Sequence, residues 1–171
     1  MSRGDDERAW PDGFEVAGHS SPMRILVGLD NREEAHLLGY VRLLGRTGEV
    51  IVRVLHVIEY VTVMGGPVIE TEEEAGSLVE AAVFSLRMAG IAASGAVRHG
   101  RVNRIAAVIL DDATTWRADT IVVSGRRTQG LRRLTGRGVR EQLVRRSTIP
   151  TALVSSPARG PGRMAHDWKK D

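Results

Sequence analysis

The chain predicts an α/β fold, a parallel sheet of five strands with helices on both faces. Two observations lead there. Short, nearly continuous apolar runs alternate with segments whose apolar residues recur every three or four positions. Taken in order they read strand, helix, strand, helix, strand, helix, strand, helix, strand, the alternation of a doubly wound sheet. The length, 171 residues, suits one domain with short tails.

Arg24–Asp30 is the first run and reads as a buried parallel strand. Asn31 then offers an N-cap, with Glu34 three residues on. Ala35, Leu38, Val41 and Leu44 mark a helix face that Gly45 and Gly48 stop. Val50–Ile58, rich in β-branched residues, is the second strand. Tyr60–Glu70 is irregular. Thr71 and Glu74 form a capping box, and the acids Glu72–Glu74 suit the positive end of the helix that follows. Its stripe is Ala75, Leu78, Ala82, Leu86 and Ala89. Ser94–Arg98 is a weak third strand. Asn103 is expected to cap the next helix, whose stripe is Ile105, Ile109, Ala113 and Trp116; Asp111 and Asp112 read as its solvated face. Asp119–Ser124 is a strong fourth strand. Val139, Leu143 and Val144 mark a short last helix with those residues inward, and Thr151–Val154 is the last strand. Residues 1–22 and 157–171 lack an apolar period and read as tails of a domain spanning 23–156.

Composition narrows the function. Without cysteine there is no disulfide, thiolate metal site, iron–sulfur cluster or Cys nucleophile. No apolar run approaches the ~20 residues of a membrane span, and residues 1–22 hold no apolar stretch of a secretory signal, so a cytoplasmic protein is expected. The five His show no ligand spacing, and His56 and His99, near strand ends, read as structural or surface groups. No nucleophile–base pair or carboxylate dyad is visible, so no catalytic residue is assigned. Charge is uneven: residues 126–146 hold eight Arg against Glu141 alone, +7, in a chain of net charge +3. That block has no aromatic residue for base stacking, which counts against nucleic acid as the partner.

Ligands of doubly wound sheets sit beyond the carboxyl ends of the strands. Those ends are Asp30, Ile58 and Ser124. Asp30 could accept bonds from a ribose or a base, or cap the turn it enters. Ser124–Val139 leaves a strand and enters a helix with four Gly and five Arg. Its backbone N–H groups and guanidinium forks suit an anion.

The segments Arg24–Asp30, Val54–Ile58, Gly100 before the third helix, and Asp119–Val154 resemble the universal stress protein family. The resemblance covers about residues 23–156. It implies a Rossmann-like three-layer sandwich with strand order 3-2-1-4-5 and a homodimer through Thr151–Val154. It also implies a nucleotide site at Asp30, Val57, Val123, Ser124, Gly125, Arg127, Arg137, Gly138 and Val139. Many members hold ATP with a Gly, two residues, a Gly, nine residues, a Gly, then Ser or Thr. One alignment puts Ser124, Arg127, Arg137 and Gly138 there, matching none. Sliding by one gives Gly125, Thr128, Gly138 and Val139, matching two. The resemblance thus implies a non-enzymatic, dimeric stress-response factor with weak or absent ATP binding and at most slow ATP hydrolysis. The alternative is a regulator that binds ATP, AMP or a cyclic dinucleotide, with Arg126, Arg127 and Arg137 replacing the Gly contacts.

Overall fold

The computed structural model describes residues 21–30, 34–60, 70–101, 103–124 and 138–155. Among the described residues nine elements alternate as expected: β1 (Met23–Leu29), α1 (Glu34–Gly45), β2 (Val50–Tyr60), α2 (Glu72–Met88), β3 (Ala92–Arg101), α3 (Ile105–Thr115), β4 (Thr120–Ser124), α4 (Val139–Arg146) and β5 (Thr151–Val154). The strands form one sheet of order β3-β2-β1-β4-β5, every pair parallel. The order reverses between β1 and β4, which sets the switch point. Residues 1–20 and 157–171 of the expected tails, Asn31 and residues 61–69 lie outside the described residues.

Side chains alternate across the central strands, and both faces are covered. Ile25, Val27, Leu29, Val52 and Val54 pack with Leu37, Leu38 and Val41 of α1 and Val79, Ala82, Val83 and Leu86 of α2. Leu26, Leu55, Val57, Ile121 and Val123 pack with Ile105, Ile109 and Ala113 of α3 and Leu143 of α4. Burial on both faces explains why β1 reads as an unbroken apolar run.

The capping box at α2 is present: the Thr71 hydroxyl accepts from Glu74 N–H, and Glu74 Oε2 accepts from Thr71 N–H at 2.9 Å. Such a cap contributes about 1 kcal/mol. The backbone and hydroxyl bonds from Thr71 hold the Glu74 carboxyl below its ordinary value. A lowered folded value stabilises the fold above the ordinary Glu range, and that contribution fades as pH falls through the folded value.

Several sequence expectations change. β2 and β3 run longer than Val50–Ile58 and Ser94–Arg98, because their ladder continues through Glu59↔Gly100 and Tyr60↔Arg101. Backbone pairing does not need the apolar side chains that the pattern followed. The residue that caps α3 is Arg104, with no side-chain cap bond, not Asn103. Val144 is exposed; Leu143 alone among α4's residues is fully buried. Asp111 is exposed as expected, but Asp112 is buried. Its carboxylate takes Arg53 Nε at 2.6 Å and Arg53 Nη2 at 3.3 Å, and Arg98 Nη2 at 2.9 Å. One acid thus ties α3 to β2 and β3.

Gly95 marks where α2 comes closest to β3. A Cβ there would collide with Val79 Cγ1 and lie 3.3 Å from Val83 Cγ2.

Candidate functional site

The carboxyl edge of the sheet is stepped. β1 stops at Leu29, opposite His56 of β2, while β2 and β3 stay paired from Val57↔Arg98 to Tyr60↔Arg101. β4 stops at Ser124, opposite Val154. The β2–β3 ribbon therefore extends past the end of β1 on the carboxyl side of the switch point.

Six of the nine expected site residues lie among the described residues: Asp30, Val57, Val123, Ser124, Gly138 and Val139. Gly125, Arg127 and Arg137 lie outside them, as do Arg126 and Thr128. Val57, Val123 and Val139 meet in one apolar cluster on the α3–α4 face. Gly28, opposite both Leu55 and Val123, lets that face pack closely: a Cβ there would stand 3.0 Å from Val123 Cγ1. Asp30 follows Leu29 directly and is exposed at the crevice edge. It stands one step beyond the Leu29↔His56 pair, as Val57 does on β2. Gly138 is the N-cap of α4 and lends it no side-chain bond; the carboxylate of Glu141, in the first turn, stands against it, 2.6 Å from where a Cβ would be.

A cavity of about 550 Å³ opens beside this cluster, lined by His99, Gly100, Arg101, Asn103, Arg104 and Val108. Gly100 packs tightly on the floor behind it: a Cβ there would lie 3.2 Å from Val57 Cγ1 and 3.3 Å from Val108 Cγ2. Arg101 and Arg104 are exposed at its rim and make no ion pair among the described residues. The sequence reading missed this wall. Its signal was present: a Gly ending a strand, then two Arg ahead of an apolar helix start.

The two strand-end histidines bond acids at the start of α2. His56 is buried, its Nδ1 3.2 Å from the Leu29 carbonyl oxygen and its Nε2 2.7 Å from Glu70 Oε2. His99 Nε2 lies 2.9 Å from Glu72 Oε1 at the surface. No helix among the described residues is long and apolar enough to cross a membrane.

These features define a doubly wound α/β protein with a cavity at the β3–α3 turn and basic groups at its rim. The sequence pattern of the universal stress protein family matches residues 22–155, and the chain belongs to that family. Among solved structures it is similar to a universal stress protein from Archaeoglobus fulgidus in complex with dAMP. That match has 20% identity and a TM-score of 0.55, and covers 77% of this chain and 97% of that one. It is also similar to a family protein from Arabidopsis thaliana with AMP bound, at 16% identity and a TM-score of 0.54, covering 80% and 94%. A third is a universal stress protein in complex with cAMP, at 15% identity and a TM-score of 0.57, covering 80% and 98%. No curated protein sequence matches the chain.

Proposed function

We propose that this chain binds an adenine nucleotide with a short phosphate group, AMP or cAMP, in the crevice, and holds ATP weakly or not at all. The observation that carries this reading is the cavity where β3 turns into α3, of a size for a small ligand and lined by Asn103 and by Arg101 and Arg104, whose guanidinium groups suit a phosphate. The altered Gly pattern between Ser124 and Val139 argues against a triphosphate, since bulky Arg residues replace the bare backbone that would touch it. Structures of relatives with AMP, dAMP and cAMP support the ligand class. Asp30 meets the ribose, Val57 and Val123 the base, and Ser124, Gly125, Arg127, Arg137, Gly138 and Val139 the phosphate. The protein acts by binding, as a nucleotide-dependent stress-response factor in the cytoplasm, and not as an enzyme.

Thermal unfolding with a panel of nucleotides tests this. AMP or cAMP at a hundredfold excess over Kd is expected to add about 2.7 kcal/mol of stability, with ATP and Mg²⁺ adding less. Replacing the exposed Arg101 and Arg104 together by Ala, which removes the cations lining the cavity, should abolish the shift while leaving the fold intact. If ATP stabilises most, the short-phosphate reading falls. If nothing shifts, only the non-binding, partner-directed role survives.

A homodimer through β5 completes the proposal. β5 is an edge strand, and Leu153 on it and Val144 on α4 are exposed, 40% and 56%. An uncovered apolar edge of this kind invites pairing. Sedimentation of Leu153→Lys should show monomers where the parent chain shows dimers; a monomeric parent would remove the dimer.

A further inference from the structure

His56 is buried, and both nitrogens of its ring are engaged. Nδ1 faces the Leu29 carbonyl oxygen, an atom that only accepts, so Nδ1 carries a proton. Nε2 faces Glu70 Oε2 at 2.7 Å. That second bond needs one more proton, on the ring or on the carboxyl. Without it a ring lone pair meets a carboxylate oxygen, and the bond becomes a repulsion. The pair therefore holds one exchangeable proton, and both bonds exist together only while it is present.

The position of this pair gives the proton its reach. Leu29 immediately precedes Asp30, and His56 immediately precedes Val57. The two residues assigned to ribose and base are thus the chain neighbours of the two strand residues that the imidazole joins. On the other side, Glu70 immediately precedes Thr71, the N-cap of α2. We infer that the proton shared by His56 and Glu70 regulates the crevice: holding it, His56 fastens the end of β1 and the start of α2 to β2, and losing it loosens this clasp and weakens nucleotide binding. The inference rests on the nucleotide reading above.

Other titratable groups surround this end of the sheet. α2 contributes Glu72, Glu73 and Glu74, of which Glu72 is bonded to His99 of β3 and Glu74 is turned back on Thr71. β1 is followed by Asp30, and α1 carries the exposed His36 in its first turn. The His99–Glu72 pair lies at the surface, where an ion pair counts for little.

Calorimetric titration with cAMP from pH 5.5 to 9 tests the inference, because the single phosphate acid of cAMP stays ionised throughout. Affinity should fall about fivefold or more from pH 6 to pH 8.5, the size of an ordinary coupling between sites. Glu70→Gln is the decisive variant. Its amide can donate to the unprotonated Nε2, so the clasp survives at every pH and the profile should be flat. His99→Gln should keep the slope. A slope that persists in Glu70→Gln, or a flat profile in the parent chain that does bind cAMP, overturns the inference and leaves the nucleotide reading intact. Hydrogen exchange without ligand separates the two failures. After correction for intrinsic rates, amides of the first turn of α2 should lose protection at pH 8.5 in the parent and not in Glu70→Gln. If they do so while cAMP does not bind, the clasp stands and the nucleotide reading falls; if they do not, the clasp itself is wrong.

Discussion

Asp112→Ala is expected to destabilise the domain by about 3–5 kcal/mol, the cost of removing one partner from a buried ion cluster. The carboxylate is buried and is gripped through both oxygens, by Arg53 from β2 and by Arg98 from β3. Truncation leaves the Arg53 guanidinium, only 20% exposed, facing apolar walls without a counter-charge. Arg98 is 46% exposed and can turn to water, so most of the penalty falls on Arg53. In a domain of this size the midpoint of thermal unfolding should drop by roughly 10 °C. A triple variant, Arg53→Met, Arg98→Met and Asp112→Leu, should recover much of the loss, since an apolar replacement of a buried cluster is often neutral or better. Differential scanning calorimetry of the single and triple variants checks both. A single variant within 1 kcal/mol of the parent would mean that the three charges are better hydrated than their burial shows.

Leu143→Ala should cost about 2–5 kcal/mol, the range for emptying a buried Leu site. Its effect should be more local. Leu143 is fully buried, while Val144 beside it is 56% exposed. An eight-residue helix has no stability of its own and depends on its docked face. Losing that anchor should let α4 open well before the sheet does. Gly138 and Val139, which begin α4, would lose their place beside the crevice, and nucleotide affinity should fall with the sheet still folded. Hydrogen exchange resolved by residue, with a cAMP titration alongside, reads this. Unchanged protection in α4 would show that Val139 and Ile149, both packed on the same cluster, suffice to dock it.

Much of the fold was legible because burial on two faces writes itself as β-branched apolar runs. Ile25–Leu29 and Ile121–Val123 have almost no other structure open to them. The capping box of α2 was legible because Thr71 and Glu74 answer only each other. What stayed hidden depends on partners distant in the chain. Asp112 looks solvent-facing when α3 is read alone; Arg53 and Arg98 become its neighbours only once the sheet is assembled. Val144 follows Leu143 with the same character, and only docking decides which turns inward. The extra length of β2 and β3 rests on backbone bonds, which leave no mark in residue type. Of the expected site residues, Val57, Val123 and Val139 share one core cluster, as their apolar character allows, and their part in a site rests on the resemblance. The cavity at Gly100 was not legible: its lining residues all fall within 99–108, but only the docking of α3 on β3 turns them toward one hollow. Gly125, Arg127 and Arg137 fall outside the described residues and stand as assigned by resemblance.

The narrow fit of Gly95 bears on how any survey of substitutions here would be interpreted. Alanine, ordinarily the mildest replacement, would wedge the layers apart at that point, because the Val79 side chain is β-branched and has little freedom to yield. A tolerance map would therefore show an intolerant spot on the edge strand, remote from Asp30 and from the phosphate end of the crevice. Intolerance of that kind records clearance between two layers. It would carry no information about chemistry.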